Sequence, residues 1–409
     1  MLTRRIFLRG SATVLAGAGS VPFWLGRAAA NTESRRKTLI VIFQRGAADG
    51  LNMVVPFFEK RYYELRPSIG IPSPAGSPGG QPAIDLDGRF GLHPQLQLLK
   101  ELWDKKMLAI VEATGSPDPS RSHFDAQDYM ESGTPGQKRD GWLNRALGPN
   151  VPGTSPLRAV SMGAALPRTL HGENAAIAVR DIAQFRATGD TAAIVENMYA
   201  GSSDKQLSLA GKDAFAAMKI LQSLNTGGPS NDFGPGRPGN NYLQAGELGR
   251  SLQQIARLIK AGAGVEAAFA EIGGWDHHQG EPNQLSNMSR QFASALTAFT
   301  TDMADRMEDI VIVTMSEFGR TARENGDSGT DHGHGSVMFV LGGPVKGGHV
   351  YGKWPGLEPE QLYESRDLAV TTDFRAVLSE LLSGHLGTQN MPEVFPGFKA
   401  REKLGLLKA

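Results

Sequence analysis

Between Asp309 and Gly348 the chain sets two apolar, β-branched runs around a glycine-rich loop of acids and histidines, and few folds accommodate that arrangement. Ile310 to Met315 stops abruptly at Ser316, Glu317 and Phe318. The loop then delivers Asp331, His332 and His334 before a second run, Val337 to Leu341. Runs that are continuously apolar or β-branched predict strands buried on both faces of a sheet. Acids and imidazoles gathered where such runs meet polar loops predict a site at the sheet's edge.

The pattern recurs along the chain. Thr38 to Phe43 stops at the loop Gln44 to Asn52, which carries Asp49. Met107 to Val111 stops at Glu112 to His123, and Val265 to Ile272 stops at Gly273-Gly274-Trp275-Asp276-His277-His278. Between these strands, helical spacing predicts helices over Pro94 to Lys105, from about His123 to Glu131, and over 206–224. Further helices are predicted over Leu243 to Lys260, 283–307 and Thr371 to Leu382, the last capped by Thr371 or Thr372. Leu157 to Met162 reads as a short strand. Residues 66–91, rich in Pro and Gly, read as a surface excursion, and 225–241 as a flexible loop. Strand, loop and helix in repetition predict an α/β fold. We expect a three-layer sandwich with a mostly parallel central sheet, as one domain over 31–409. Ligands of such sheets sit beyond the carboxyl ends of the strands.

Composition narrows the chemistry. The chain has 409 residues, no cysteine and a formal net charge of +0. Without cysteine there is no disulfide, iron–sulfur cluster, thiolate zinc site or cysteine nucleophile, so a bound metal takes oxygen and imidazole ligands. The charge balance predicts no nucleic-acid partner. Residues 1–30 hold Arg4, Arg5, Arg9 and Arg27 and no acid. Thr3 to Arg9 reads as a twin-arginine signal, followed by a short glycine-broken apolar stretch and Ala28-Ala29-Ala30 as a cleavage site. Export to the periplasm through the twin-arginine translocase, with no stable membrane anchor, is the expectation.

The candidate metal ligands are Asp49, Asp276, His278, Glu317, Asp331, His332 and His334, with His277 in reserve. Carboxylate with neutral imidazole suits Zn or Mn, as one ion or two. Ser120 and Ser122 stand where a strand-end loop enters a helix, each a candidate nucleophile or a helix cap. Arg121 is a candidate anion contact or a partner for Asp125, and His123 a candidate general acid. Arg45 and Arg320 are candidate substrate contacts, and Asp49 is also a candidate cap for the segment after it.

RGAADGLN, SRSHFDAQDYMESG, GGWDHH, TMSEFGRT and TDHGHG together resemble the exported bacterial family known as domain of unknown function 1501, in the alkaline phosphatase-like, sulfatase-like superfamily. The resemblance implies an alkaline phosphatase-like fold, divalent metals and a nucleophile at a helix start. It implies that Asp49 is the metal aspartate of the first strand and that Ser122 or Ser120 is the nucleophile. Asp276, His278, Glu317 and His332 or His334 follow as further ligands. The sequence departs from that superfamily at Phe318, where a metal-binding histidine is usual. Pro117 stands where sulfatases carry the residue converted to formylglycine, so formylglycine chemistry is not expected. The expected function is hydrolysis of phosphate or related esters, on a small anionic ester or an envelope polymer. The alternative is a non-catalytic relative that binds a partner or such a polymer. An oxidoreductase ranks last, because no dinucleotide glycine motif follows a strand.

Overall fold

The computed structural model describes residues 36–76, 80–137, 139–151, 153–182, 205–225, 238–400 and 402–408. The expected leader at residues 1–30 and most of the expected loop at 225–241 lie outside the described residues. The strands are β1 (Thr38–Gln44), β2 (Leu108–Gly115), β3 (Ala159–Ser161), β4 (Ile177–Ala178) and β5 (Ala267–Ile272). They continue with β6 (Ile310–Met315), β7 (Ser336–Gly342), β8 (His349–Tyr351) and β9 (Thr372–Asp373). The main helices are α1 (Leu98–Asp104), α2 (His123–Ser132), α3 (Lys205–Asn225), α4 (Gly246–Lys260), α5 (Glu281–Asp302) and α6 (Phe374–Leu381).

The nine strands form one sheet in the order β8-β2-β7-β6-β1-β5-β3-β4, with β9 pairing β2. β1 runs parallel to β5 and β6, β3 parallel to β5 and β4, and β8 and β9 parallel to β2. β7 alone is antiparallel, to both β6 and β2. The mostly parallel sheet is therefore as expected, and its antiparallel member matters for the site. β6 ends, and β7 begins, at the same edge, so both ends of the loop Ser316–Gly335 open there with the carboxyl ends of β1, β2 and β5.

Alternation along the strands divides the core. Leu39, Val41 and Phe43 of β1 face one layer with Trp142, Phe374, Val377 and Leu381. Ile40 and Ile42 face the other, with Leu252 and Ile255 of α4 and Phe292 and Phe299 of α5. Leu39 to Phe43 are each 0% exposed, and each contributes about 1.5–3 kcal/mol of burial. That is the three-layer arrangement, with helices on both faces.

Several boundaries differ from the expected ones for local reasons. Residues 238–245 wind as a 3-10 segment, so α4 starts at Gly246 rather than Leu243. α5 covers Glu281–Asp302 and passes into 3-10 turns over Ala304–Asp309. The cap of α6 is neither Thr371 nor Thr372 but Asp373, whose carboxylate accepts from Arg375 N–H at 2.9 Å. The Pro/Gly-rich excursion contributes to a second small sheet, Val54–Val55, Gly91–Leu92 and Ile84–Asp85. Short edge strands β4 and β8 carry too few residues to show a periodicity.

Candidate metal centre

Four strand-end loops meet at the sheet edge, and their close approach demands glycine. A Cβ on Gly46, at φ +112°, would stand 2.7 Å from Asp276 N, so the β1 and β5 loops touch only because Gly46 has none. Gly319 and Gly333 bring the two arms of the β6–β7 loop together, with Gly319 N–H donating to His334 C=O at 2.9 Å and Gly333 N–H to Gly319 C=O at 2.8 Å. Buried Arg320 ties the loops to one another. It donates to Ala47 O at 2.8 Å, Gly46 O at 2.7 Å, Trp275 O at 3.1 Å, Thr330 O at 3.0 Å and Asp276 Oδ1 at 2.5 Å. With those acceptors around it, Arg320 is a framework residue and not the free substrate contact expected.

At the centre the Nε2 atoms of two imidazoles approach that of a third, His332. His123 Nε2 lies 2.9 Å from His332 Nε2, and His278 Nε2 lies 3.0 Å from the same atom. Asp276 closes the group, with Oδ1 3.0 Å from His278 Nε2 and 3.3 Å from His332 Nε2, and Oδ2 3.5 Å from His123 Nε2. His123, Asp276 and His332 form a group able to hold a metal ion, each offering one ligand atom within 4.8 Å of the others.

Each opposite nitrogen is already occupied. His123 Nδ1 meets Glu317 Oε1 at 2.8 Å, His278 Nδ1 meets Asp331 Oδ1 at 3.1 Å, and His332 Nδ1 meets the backbone carbonyl of Arg121 at 2.9 Å. These acceptors require Nδ1–H on all three rings, which leaves Nε2 as a lone pair in each neutral imidazole. Lone pairs at such distances repel. The contacts therefore call for positive charge between the rings, and a divalent ion supplies it. Tetrahedral ligands at about 2.0–2.1 Å from an ion stand roughly 3.3 Å apart, so His123, Asp276 and His332 suit Zn or Mn in both chemistry and spacing.

The surrounding electrostatics follow from the same contacts. The hydrogen bond His123 donates to Glu317 raises the His123 pKa against the lowering effect of burial. Burial lowers that of His332, the Arg121 carbonyl offsetting only part. Burial alone would raise the acids Asp276, Glu317 and Asp331. Their partners outweigh it and hold all three below the ordinary range: Arg320 for Asp276, His123 and Gln127 for Glu317, His278 and Asn325 for Asp331. The cluster thus keeps its carboxylates ionised.

The expected ligands divide accordingly. Asp276, His278 and His332 lie together, and His123, expected as a general acid, stands with them in the candidate metal-holding group. Glu317 and Asp331 stand one bond further back, orienting imidazoles. Asp49 lies elsewhere: fully buried, it pairs with Arg66 at 2.5 Å and caps the short helix Gly50–Met53 by accepting from Leu51 N–H at 3.2 Å. His334 stacks on Tyr363 with ring centroids 4.3 Å apart. His277 donates through Nε2 to Gly274 O at 2.7 Å. Phe318 packs beneath the cluster, its ring 5.0 Å from both His123 and His332. Among the described residues the geometry assembles one candidate centre rather than two.

The expected anion contacts are also partnered. Arg45 pairs with Glu271 at 2.6 Å and Glu131 at 2.9 Å. Arg121 pairs with Asp367 and Glu364, not with Asp125. Ser122 is the N-cap of α2, its Oγ accepting from Asp125 N–H at 3.5 Å, and Ser120 Oγ accepts from Ser122 N–H at 3.2 Å. Ser122 is exposed and directly precedes His123.

The model of a family described as "Protein of unknown function (DUF1501)" matches residues 106–394. No curated protein sequence matches the chain. Among solved structures the chain is similar to the lipoteichoic acid synthase LtaP from Listeria monocytogenes, at 10% identity and a TM-score of 0.33, over 81% of this chain and 71% of that one. It is also similar to the PsFucS1 sulfatase from Pseudoalteromonas sp., at 11% identity and a TM-score of 0.37, over 95% of this chain and 76% of that one.

Proposed function

Since the chain belongs to the family described as protein of unknown function (DUF1501), and the matched residues include all four side chains of the cluster, we propose that the cluster is the centre of a metal-dependent hydrolase of phosphate or related esters. One observation carries this reading: the Nε2 lone pairs of His123 and His332 converge with the Asp276 carboxylate, the opposite nitrogen of each ring being already spent. His123, His278, His332 and Asp276 hold the ion in this proposal, and Zn or Mn suits them best. A divalent cation bound there polarises an ester oxygen and neutralises charge developing on it.

The remaining roles belong to the chain's own groups. Glu317, Asp331 and the Arg121 carbonyl hold the imidazoles in the ligating tautomer. Arg320 keeps Asp276 ionised and aimed at the centre. Asp276 and His278 are 44% and 41% exposed in their side chains, so the centre is open to a solvent-borne ester. Ser122, exposed at the start of α2 beside His123, is our candidate nucleophile, with Ser120 as the alternative. The leader at residues 1–30 supports export by the twin-arginine route. Among the described residues no helix is long and apolar enough to cross a membrane.

Phe318, packed where a further ligand was expected, favours a second reading in which the fold binds a partner or polymer without turnover. Hydrolysis of a chromogenic phosphate monoester and a chromogenic diester by the metal-loaded protein separates the two. Turnover abolished by Ser122→Ala, with metal content retained, supports the enzyme. A protein that binds metal but turns over neither ester, nor a sulfate ester, supports the binding module.

A further inference from the structure

Arg121 belongs to the centre through its backbone and to a separate charge cluster through its side chain. Its carbonyl accepts from His332 Nδ1 at 2.9 Å. Its guanidinium donates through Nε and Nη2 to Asp367 Oδ2 at 3.2 and 2.6 Å, and through Nη2 to Glu364 Oε2 at 2.7 Å. The two carboxylates differ. The Asp367 side chain is 0% exposed and also has Arg366 within 3.5 Å, while Arg366 donates to the His332 carbonyl at 3.0 Å. The Glu364 side chain is 53% exposed. It sits on a tight turn in which Glu364 and Ser365 have φ of +51° and +53°, a left-handed pair without glycine.

Two guanidinium groups against one buried carboxylate leave a positive charge, and Glu364 covers it from the solvent side. An exposed ion pair of this kind is weakly held, whereas a buried one keeps its partner. We infer that Glu364 is an internal stand-in for a substrate anion. Arg121, steadied by Asp367 and accompanied by Arg366, forms a subsite for a tetrahedral oxyanion, the phosphate or sulfate group of an ester, and Glu364 leaves when that oxyanion arrives. The planar fork of arginine suits two oxygens of such a group. This rests on the hydrolase reading for its place beside the metal centre, but its test does not depend on turnover.

The experiment is calorimetric titration of the full mature protein with inorganic phosphate and, separately, with sulfate, before and after loading with Zn. Glu364→Gln is expected to bind at least one of the anions about threefold to fivefold more tightly than the unaltered protein in both states, and the larger gain names the ester. Glu360→Gln removes the same charge from an exposed position four residues away and is expected to give no gain. Adding Arg121→Met to Glu364→Gln is expected to abolish the gain. Equal gains from Glu364→Gln and Glu360→Gln, or no gain from either, overturn the proposal. Metal content measured on the same samples reports separately on the centre. A protein without metal that keeps the Glu364→Gln gain removes the hydrolase reading and leaves the anion subsite standing.

Discussion

His123 and His332 confront each other through Nε2 atoms 2.9 Å apart, while the Nδ1 of each is committed to an acceptor, Glu317 in one case and the Arg121 carbonyl in the other. Two imidazoles so arranged call for positive charge between them. The first prediction concerns the acceptor that fixes one of the tautomers. Glu317→Gln keeps the size of the side chain but can offer Nδ1 of His123 a donor in place of a carboxylate. Metal affinity is expected to fall by about 10–100-fold, with the thermal transition of the metal-free protein nearly unchanged. Equal affinity in the variant and the parent contradicts the role given to Glu317.

Acidity tests the same arrangement. Protons and a cation compete for the Nε2 lone pairs, and Glu317 raises the His123 pKa. Metal affinity is therefore expected to drop as pH falls through and below the neutral range, and binding near neutrality is expected to release protons. In the metal-free protein the sign reverses. A raised imidazole contributes stability that is complete below its unfolded pKa and is lost as pH rises through the folded one. Calorimetry in buffers of different ionisation enthalpy counts the protons, and no release at any pH removes the cluster as the binding site.

Glu112 offers a pH test away from the site. Its carboxyl is buried in β2 with Oε1 lacking a partner, and burial raises its pKa well above the usual value. A raised carboxyl favours the fold only while protonated, so stability declines as pH rises from the unfolded pKa toward the folded one, by about 1.4 kcal/mol per unit. Glu112→Gln imitates the neutral form. Its melting temperature is expected to match the parent near pH 4 and to exceed it increasingly toward pH 8; parallel profiles contradict this.

Arg66 and Asp49 form a pair with side chains 0% and 3% exposed. Removing one member of a buried pair strands the other charge, at a cost of about 3–5 kcal/mol. Arg66→Met is expected to lose that much in chemical denaturation. Because the Arg66 guanidinium also donates to the carbonyls of Thr321 and Ala322 at 2.9 and 3.0 Å, it should loosen the loop that carries His332 as well. A variant as stable as the parent contradicts this account of Asp49.

Much of the architecture could be read from residue order. Thr38 to Phe43 and Ile310 to Met315 are apolar or β-branched at every position, and such runs suit strands covered on both faces. Asp276, His278 and His332 stood out because acids and imidazoles followed those runs. Other assignments depended on tertiary partners that local spacing does not reveal. Nothing near Asp49 announces that Arg66, from a proline-rich stretch, will neutralise it. Nothing near Arg121 announces Glu364 and Asp367, more than two hundred residues away. Which imidazole nitrogen faces inward, and hence whether Glu317 binds a cation or orients His123, is set by contacts across four loops. The direction of β7 was equally hidden, since an apolar run reads alike in either orientation.

The most direct test is elemental analysis of the purified protein beside Asp276→Ala and His332→Ala variants shown to be folded. The account predicts about one Zn or Mn per chain in the parent and little or none in either variant. Metal-free parent protein whose stability and conformation ignore added Zn and Mn, or variants that keep the parent's full metal content, would contradict it.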